Sequence, residues 1–379
     1  MKILVLCYEY PPIGGGGGRV AQSIAEQMAA RGHEVRVQTA ALGWRSTREM
    51  HNGVTIFRTA SGRRAPDTCR VPEMGAYCVT SFLPTLEHIR TWKPDVIHAH
   101  FAVPTGFLAW AVRHLTGVPY VLTAHLGDVP GGVPEQTDAL FQMVGPLAKY
   151  VWSDAAGTTA VSSFVQQLAE RAYHRPVERI LNGISLDHAP VAPSPVTPSR
   201  HLVFLGRLNP QKNPLFLIDA LERLQSLPWR LTLIGDGPLM PELRARIATA
   251  GLTDRIRLTG WLHTQEVHEI LAKADILCMP SLSEGLPVAA IEALKYGLAI
   301  VASDIAGVFD VVEDQVNGFR VPLGNLDAYA ARLRELIEDD ARLAELKGAS
   351  LQKVRDFDLI KVADQYEQVL QTAASERQA

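Results

Sequence analysis

The stretch Ala189-Pro-Val-Ala-Pro-Ser-Pro-Val-Thr-Pro198 divides the chain into two halves that share one organisation. It holds four prolines in ten residues and no charged side chain, which is typical of an extended, semi-rigid linker. On both sides of it, short apolar runs alternate with amphipathic stretches of helical periodicity. Strands that alternate with helices indicate a parallel, doubly wound sheet. The sequence therefore predicts an α/β protein with two Rossmann-like domains that face a shared cleft.

The alternation sets the predicted elements and domain bounds. In the first half we predict strands at 2–7, 34–39, 54–58, 95–98, 119–123 and 156–160, and helices at 18–31, 81–92, 103–116, 139–150 and 162–172. In the second half we predict strands at 201–205, 230–234, 256–258, 275–279, 299–302 and 318–321, and helices at 214–226, 238–250, 264–272, 287–296, 325–338 and 340–347. The predicted domains are 1–188 and 200–357, joined by a linker at 189–199. A charged helix near 358–377, in a segment 358–379, is expected to cross back to the N-terminal domain.

Composition narrows the functional class. A chain of 379 residues exceeds one ordinary core, and its net charge of −3 argues against a general nucleic-acid binder. Its four cysteines lack metal-ligand spacing, and Cys7 and Cys278 lie in apolar runs, which suggests a reducing compartment. The apolar start Met1–Cys7 is too short for a signal peptide, and no apolar run approaches the roughly 18 residues of a membrane span. We expect a cytoplasmic protein, at most peripheral to the inner face of a membrane.

Two carboxylates in the second half are candidate ligand contacts. Glu284 lies in the loop after the apolar run 275–280, and Glu292 lies within the helix that Pro287 is predicted to open. The N–H groups at such a helix start attract anions such as phosphate. Carboxylates accept hydrogen bonds from sugar and ribose hydroxyl groups. The alternative is a solvated loop Glu and a surface helix Glu.

Two loops at strand ends in the first half are further candidates. The run Gly14–Gly18 follows the first strand and lets the backbone approach a ligand, although a flexible surface loop would also explain it. It carries no Lys-Ser/Thr that would make it a P-loop. His125 and Asp128 follow the fifth strand and could both point into a cleft. The alternative is a loop histidine capped by a local aspartate.

Three strand ends of the second half carry the remaining candidates. Arg207 and Lys212 follow the first strand, and their cationic donors suit a diphosphate without the help of a metal ion. Two ordinary surface cations are the alternative. The turns that contain Gly235, and Trp261 with Leu262, follow the next two strands and are placed to line a nucleotide pocket by their backbone, or to be plain turns.

Taken together, these stretches resemble a retaining nucleotide-sugar glycosyltransferase of the family-4 type, with the two-domain GT-B architecture. The family's Glu-x7-Glu matches Glu284 and Glu292, and its Gly-Arg-x4-Lys matches Gly206, Arg207 and Lys212. The N-terminal Pro-Pro-x-x-Gly-Gly and the loop histidine match residues 11–16 and His125. The resemblance covers nearly the whole chain in the right order. One departure lies near 302–310, where the family has paired glycines and a Glu but this chain has Ala306 and Asp310.

The resemblance implies transfer of a hexose-type sugar from a nucleoside-diphosphate sugar to a glycan, glycolipid or small-metabolite hydroxyl, as in bacterial polysaccharide biosynthesis. Configuration would be retained, and neither a metal nor another cofactor would take part. The leaving diphosphate would act as the base, without a protein nucleophile. The implied contacts are Arg207, Lys212, Gly16 and Gly17 for the diphosphate, Glu292 for the ribose, Glu284, Gly285, Leu286, His125 and Asp128 for the transferred sugar, and Gly235, Trp261 and Leu262 for the base. His125 and Glu284 are the implied catalytic residues.

A cationic segment suggests a contact on the acceptor side. Arg63, Arg64 and Arg70 stand against one acidic residue, Asp67, and could meet a lipid phosphate, unless the segment is simply a solvated, mobile loop. Three rival functions remain. A sugar-nucleotide epimerase would share the architecture, and a degenerate transferase could serve as a sensor. An NAD-dependent oxidoreductase would require an acidic residue at the end of strand two, which the run 35–39 lacks.

Overall fold

The computed structural model of the chain describes residues 1–66 and 68–376. Asp67 of the cationic segment and the end of the predicted C-terminal segment, 377–379, lie outside the described residues. The described chain forms two compact units. Unit 1 comprises Met1–Gly183 together with the chain from Leu359 onward, and unit 2 comprises Ile184–Asp358.

Unit 1 is built on an eight-stranded sheet with the order β3-β4-β2-β1-β5-β6-β7-β8. Its strands are β1 (Lys2–Cys7), β2 (Glu34–Leu42), β3 (Thr47–His51), β4 (Val54–Arg63), β5 (Val96–His100), β6 (Tyr120–Ala124), β7 (Gly157–Ala160) and β8 (Glu178–Arg179). The helices between them are α1 (Gly16–Ala30), α2 (Val71–Trp92), α3 (Phe107–Thr116), α4 (Pro134–Ser153) and α5 (Ser163–Tyr173). The edge strand β3 pairs antiparallel with β4, whereas β1 pairs parallel with both β2 and β5.

Unit 2 contains a six-stranded parallel sheet with the order β11-β10-β9-β12-β13-β14. Its strands are β9 (Arg200–Leu205), β10 (Trp229–Ile234), β11 (Ile256–Leu258), β12 (Ile276–Met279), β13 (Ala299–Ser303) and β14 (Gly318–Val321). Its helices are α6 (Pro214–Glu222), α7 (Met240–Thr249), α8 (Thr264–Leu271), α9 (Val288–Lys295), α10 (Leu326–Glu338) and α11 (Asp340–Lys353). The last helix of the chain, α12 (Leu359–Ser375), belongs to unit 1.

The central strands are buried along their whole length. Every residue of β5, β6 and β13 is buried, because a parallel sheet covered on both faces offers no solvent side. In each sheet the strand order reverses beside the first strand of the unit, between β1 and β5 in unit 1 and between β9 and β12 in unit 2. Ligands of open α/β sheets bind at such switch points, outside the carboxyl ends of the strands. The topology therefore marks one candidate edge in each unit.

Helix α12 is fastened to unit 1 by charged contacts. Arg31, just after α1, forms ion pairs of 2.7 Å with both Asp364 and Glu367. His33 Nε2 lies 2.8 Å from the other oxygen of Glu367. Tyr366, on the same helix, is fully buried. The C-terminal helix thus contributes to the packing of the first sheet.

The predicted fold class and the larger elements are confirmed, and the differences have local causes. Helix α1 begins at Gly16, two residues before the predicted start at 18, so three glycines of the run lie in its first turn. Helix α2 begins at Val71 instead of 81. At this earlier start the Glu73 carboxylate accepts the backbone N–H of Arg70 at 2.8 Å. Pro287 is the N-cap of α9, so this helix begins at Val288, one position after the predicted start.

The short strands β3 and β8 were not predicted. All of their residues are exposed, so neither strand gives an apolar signal in the sequence. The segment 189–199 contains neither helix nor strand, and it lies within unit 2, whose first residue is Ile184. Among the described residues, no helix combines the length and the apolar character needed to cross a lipid bilayer.

Candidate active site

Lys212 and Glu284 meet at the switch point of unit 2. Lys212 follows β9 and Glu284 follows β12, which is the neighbouring strand across the reversal. The Lys212 Nζ donates to Glu284 Oε1 at 2.6 Å. The Glu284 side chain is 7% exposed and that of Lys212 is 22% exposed. The structure therefore brings together the predicted diphosphate cation and the predicted sugar carboxylate.

Backbone contacts hold the two loops of this pair in place. Lys212 ends a single 3₁₀ turn, Pro210–Lys212, and its N–H donates to the side chain of Asn209 at 3.1 Å. The carbonyl of Gln211 accepts the N–H of Leu282 at 2.8 Å, and the Gln211 amide donates to the carbonyl of Ser283 at 3.0 Å. The two loops that carry the Lys212–Glu284 ion pair are thus joined to each other by hydrogen bonds.

Gly307 permits the conformation of the Glu284 loop. A Cβ atom on Gly307 would lie 1.7 Å from the carbonyl oxygen of Glu284, so no other residue fits without moving the loop. Gly307 lies in a 3₁₀ turn, Ala306–Val308, at the point where the sequence departs from the family pattern. The single glycine that remains there is the one that the close approach requires.

The residues Gly285 and Leu286 lead into α9 and are buried. Glu292 lies in the second turn of α9, and its Oε2 is 3.1 Å from Nε2 of His268 on α8. The Glu292 side chain is 21% exposed. Its charge, together with burial, raises the pKa of Tyr296 on the following turn, with burial as the larger cause. Glu292 is therefore a partly exposed acceptor, and its contact with His268 is one that the sequence did not reveal.

The loops after β9 and β10 are in direct backbone contact. A Cβ on Gly235 would lie 2.0 Å from the carbonyl oxygen of Gly206, and Gly235 has a φ of +134°, so both space and conformation require glycine. The N–H of Leu208 donates to the carbonyl of Asp236 at 2.8 Å. Arg207 lies half-buried between these contacts. The loop that carries Arg207, the predicted diphosphate contact, is thus held in place by the neighbouring loop after β10.

The remaining predicted base contacts follow β11. Gly235 donates its N–H to the carbonyl of Gly260 at 3.0 Å, so this loop joins the same row of strand ends. Trp261 is 57% exposed and Leu262 is half-buried. An exposed indole on a site edge offers a stacking surface. The contact of these residues with a nucleobase remains a prediction.

In unit 1, the glycine run is fastened by a buried ion pair. Glu9, just after β1, accepts the N–H of Gly15 at 3.3 Å through Oε2 and pairs with Arg63 at 3.2 Å through Oε1. Arg63 also donates to the carbonyl of Ala65 at 3.0 Å. The N–H of Gly14 donates to the carbonyl of Pro66 at 2.7 Å. The start of α1 is therefore held by a network centred on Glu9.

This network corrects the prediction that Arg63 belongs to an exposed cationic loop. Arg63 closes β4, and its side chain is 0% exposed because Glu9 and backbone carbonyls take its donors. Arg64 and Arg70 are exposed, in agreement with the prediction. The cationic surface of this segment therefore carries two of the three arginines.

His125 lies against the glycine run at the switch point of unit 1. A Cβ on Gly17 would lie 3.1 Å from the His125 Nδ1 and 2.6 Å from the Phe101 Cζ, so glycine is required for this approach. Phe101 follows β5 with a φ of +72°, an uncommon conformation for a bulky residue, and its ring centroid is 4.3 Å from that of His125. Backbone strain of this kind is concentrated at functional sites. Gly16 forms the first residue of α1 beside them.

Asp128 organises the loops around His125. Its Oδ1 accepts the N–H groups of His125 and Leu126, both at 2.9 Å, and its Oδ2 accepts the N–H of Ala102 at 2.8 Å. The residue is 2% exposed. Asp128 therefore connects the loop after β6 to the segment after β5. Its predicted direct contact with a sugar remains a prediction.

A row of three histidines leads inward from this edge. His100 Nδ1 is 3.2 Å from His125 Nε2, and the rings of His98 and His100 are 4.1 Å apart. Burial lowers the pKa of His125 to about 4 and that of His98 to about 3, and it lowers the pKa of His100 well below its usual value. All three rings are therefore neutral at pH 7. His98 and His100 were not predicted as site residues, although His98 ends the predicted strand 95–98 and His100 follows it, at the edge where a parallel sheet binds ligands.

Glu9 and His268 were also overlooked, because only their tertiary contacts link them to the glycine run and to Glu292. Within residues 1–66 and 68–376, no group of three or more His, Cys, Asp or Glu side chains is arranged to hold a metal ion.

Comparisons with known proteins cover both units. The glycosyltransferase family 4 model matches residues 14–188, and the glycosyl transferases group 1 model matches residues 199–339. Phosphatidyl-myo-inositol mannosyltransferase of Mycobacterium leprae is 29% identical over 99% of this chain and 98% of that protein. The 2-deoxystreptamine glucosyltransferase of Streptomyces kanamyceticus is 28% identical over 68% of this chain and 72% of that protein. Sucrose-phosphate synthase from Thermosynechococcus elongatus has a similar fold, with a TM-score of 0.83 at 19% identity over 97% of this chain and 98% of that one.

Proposed function

Because the chain belongs to the glycosyltransferases of the family-4 type and has their two-domain GT-B fold, we propose that it transfers a hexose from a nucleoside-diphosphate sugar to a hydroxyl acceptor, with retention of configuration and without a metal ion. The observation that carries this proposal is the contact of Lys212 with Glu284 beside the start of α9. A cation for the diphosphate, an acceptor for sugar hydroxyls and a helix N-terminus are then next to each other. This combination suits one ligand that is a phosphate at one end and a sugar at the other.

The residues of unit 2 would hold the donor. Lys212 and Arg207 would neutralise the diphosphate, and the first N–H groups of α9 would add to their effect. Glu284 would accept hydroxyl groups of the hexose, with the Gly285 and Leu286 backbone as its neighbours. Glu292, which carries one charge on a half-exposed side chain, would accept the two ribose hydroxyls. These cations take the place that a metal ion has in other transferases.

The transfer itself exchanges one bond to the anomeric carbon for another. The bond from this carbon to the diphosphate oxygen breaks, the acceptor oxygen bonds to the same face, and the proton of the acceptor hydroxyl passes to the leaving diphosphate. Neutral His125 of unit 1, with Gly16 and Gly17 next to it, would contact the sugar as positive charge develops on its ring. No protein nucleophile is needed for this route.

The names of relatives support the proposed sugar class. Two of them are a mannosyltransferase and a glucosyltransferase, which supports a hexose. Their names contain unrelated acceptors, a phosphatidyl-inositol and 2-deoxystreptamine, so the proposal for the acceptor extends only to a hydroxyl group on a glycan, glycolipid or small metabolite.

A donor panel tests the proposal. The protein would be incubated with UDP-, GDP-, ADP- and TDP-hexoses and an acceptor mixture in the presence of EDTA. Parallel incubations would omit the acceptor or contain NAD. Release of one nucleoside diphosphate with an acceptor product whose anomeric configuration by NMR matches the donor is the expected result. An inverted product, or activity that EDTA abolishes, would overturn the retaining or the metal-free part. An epimerised donor formed without any acceptor would favour the epimerase, and turnover only with NAD would favour an oxidoreductase.

A peripheral membrane contact, also part of the proposal, would rest on Arg64 and Arg70, the exposed cations of the segment after β4. Sedimentation with anionic vesicles compares the wild type with the double variant Arg64→Ser/Arg70→Ser. Binding that the double variant loses supports the contact. Equal binding by both proteins, or binding by neither, contradicts it.

A further inference from the structure

The row of histidines in unit 1 ends in a hydrogen bond whose direction matters for chemistry. The His100 Nδ1 and the His125 Nε2 are 3.2 Å apart, and one of them donates to the other. Each neutral imidazole carries a single N–H, so the donor in this bond also decides which nitrogen of His125 carries its proton. The direction of one buried bond therefore sets what His125 offers at its other nitrogen.

The surroundings of His100 favour one direction. His100 is 0% exposed, and its Nε2 is buried with no hydrogen-bond partner among the described residues. If Nδ1 accepted, Nε2 would be a buried N–H without an acceptor. If Nδ1 donates, Nε2 is a bare lone pair. Buried backbone N–H groups without an acceptor are rarer than carbonyls without a donor, and the same preference applied to the ring makes Nδ1 the donor.

The surroundings of His125 agree with that assignment. Its Nδ1 faces the α-carbon of Gly17, and within the described part of the chain it makes no hydrogen bond. Its backbone is held by Asp128, and its ring lies against Phe101. A ring that is fixed on three sides leaves Nδ1 as the one nitrogen for a ligand.

We propose that His100 is a positioning residue whose Nδ1–H donates to Nε2 of His125, which places the proton of neutral His125 on Nδ1, as a hydrogen-bond donor for an oxygen of the sugar donor. This inference rests on the proposed contact of His125 with the sugar. It adds a residue that touches no substrate and selects the tautomer of one that does. The low pKa of both rings supports it, because a doubly protonated ring would have no tautomer to select.

The tautomer is measured without substrate. In protein labelled with ¹⁵N-histidine, long-range ¹H–¹⁵N correlation at pH 7 distinguishes a protonated from an unprotonated ring nitrogen. The expected spectrum shows His125 protonated at Nδ1 and unprotonated at Nε2. The opposite pattern in the wild type would overturn the inference, and this result does not depend on any variant folding or on any turnover.

Variants then connect the tautomer to activity. His100→Asn keeps an N–H donor at the place of Nδ1, whereas His100→Phe keeps the ring shape and removes the donor. We expect the Asn variant to retain the His125 tautomer and most of kcat. The Phe variant should show mixed tautomers and a kcat lowered about 10- to 100-fold, by analogy with the loss of hydrogen-bond partners that orient metal-ligating histidines. An unchanged His125 tautomer in His100→Phe would contradict the inference.

His98 provides a matched control. It lies two residues away on β5, is 1% exposed and bonds to Thr123 rather than to His125. His98→Phe should leave the His125 tautomer as it is, and a changed tautomer would show that general repacking, not the His100 bond, controls it. Failure of the wild type to turn over any donor would refute the proposed function but leave the tautomer result standing, so the two failures are distinguishable.

Discussion

Lys212 and Glu284, 72 positions apart in sequence, are joined by a Nζ–Oε1 contact of 2.6 Å across the reversal of strand order in unit 2. The pair lies largely out of solvent, so each charge depends on the other. In the proposed reaction Lys212 also serves the diphosphate. The three N–H donors of its ammonium group allow it to hold both partners. The pair therefore connects stability with function, and variants can separate the two.

Lys212→Met should lower kcat/KM about 100-fold or more, the usual effect of removing a donor that stabilises developing charge. It should also lower the free energy of unfolding by about 1–3 kcal/mol, between the surface and buried limits, because the Glu284 carboxylate loses its partner. The double variant Lys212→Met/Glu284→Gln should regain stability but not activity. Steady-state kinetics and urea denaturation measure both, and a nucleoside diphosphate bound by Lys212→Met with wild-type affinity would refute the diphosphate role.

Gly307→Ala should displace the Glu284 loop, because the new Cβ would lie 1.7 Å from the Glu284 carbonyl oxygen. We expect a loss of about 1–3 kcal/mol in unfolding free energy, typical of overpacking, together with a large drop in turnover. Gly348→Ala is the matched control, since a Cβ there meets nothing within 4 Å and lies within α11. It should be neutral or stabilising by up to about 1 kcal/mol. Equal midpoints for both variants in thermal denaturation would disprove the close approach.

Arg63→Ala should destabilise the protein by about 3–5 kcal/mol, since it leaves the Glu9 carboxylate buried without its cation. Its neighbour Arg64 is exposed, and Arg64→Ala should stay within about 0.5 kcal/mol of the wild type. Chemical denaturation of both variants provides the comparison. If Arg64→Ala were the more damaging of the two, the network around Glu9 would be wrongly assigned.

Acid should destabilise the protein through its buried histidines. Burial lowers the pKa of His125 from 6.5 to about 4 and that of His98 from 6.5 to about 3, so the unfolded chain binds these protons first as the pH falls. The contribution of these neutral histidines to the free energy of unfolding is therefore fully present above pH 6.5 and is lost as the pH falls below this value. Between pH 7.5 and pH 5, each of these histidines should lower the free energy of unfolding by about 2 kcal/mol.

Urea denaturation at pH 7.5 and 5 tests this slope in a window above most carboxylate titration. The His98→Phe variant should lose about 2 kcal/mol less than the wild type over the same interval, since one of the titrating rings is gone. A wild type equally stable at both pH values would contradict the burial of these rings in their neutral form.

The periodicity of apolar residues was sufficient to predict the central strands of the sheets but not the exposed edge strands. The buried strands β1, β5, β6 and β9 are apolar runs that any parallel sheet requires, and the sequence located each within two residues at either end. Strand β3 could not be located, because all five of its residues are exposed and only its pairing with β4 makes it a strand. The start of α1 was not predicted, because glycine has a low helix propensity. The tertiary structure requires glycine there, since a Cβ on Gly18 would lie 2.6 Å from the backbone oxygen of Glu9.

The sequence by itself determined the fold class and the chemical types of the site residues, since strand-helix alternation and the spacing of Arg207, Lys212, Glu284 and Glu292 are local patterns. Only the tertiary structure decided the partners: Lys212 with Glu284, Glu9 with Arg63, and His100 with His125. The reason is physical. Parallel strands bring the ends of distant segments to one edge, and burial there removes the water that would otherwise screen or satisfy each polar group. The pairs that result depend on strand order, which no short stretch of sequence encodes.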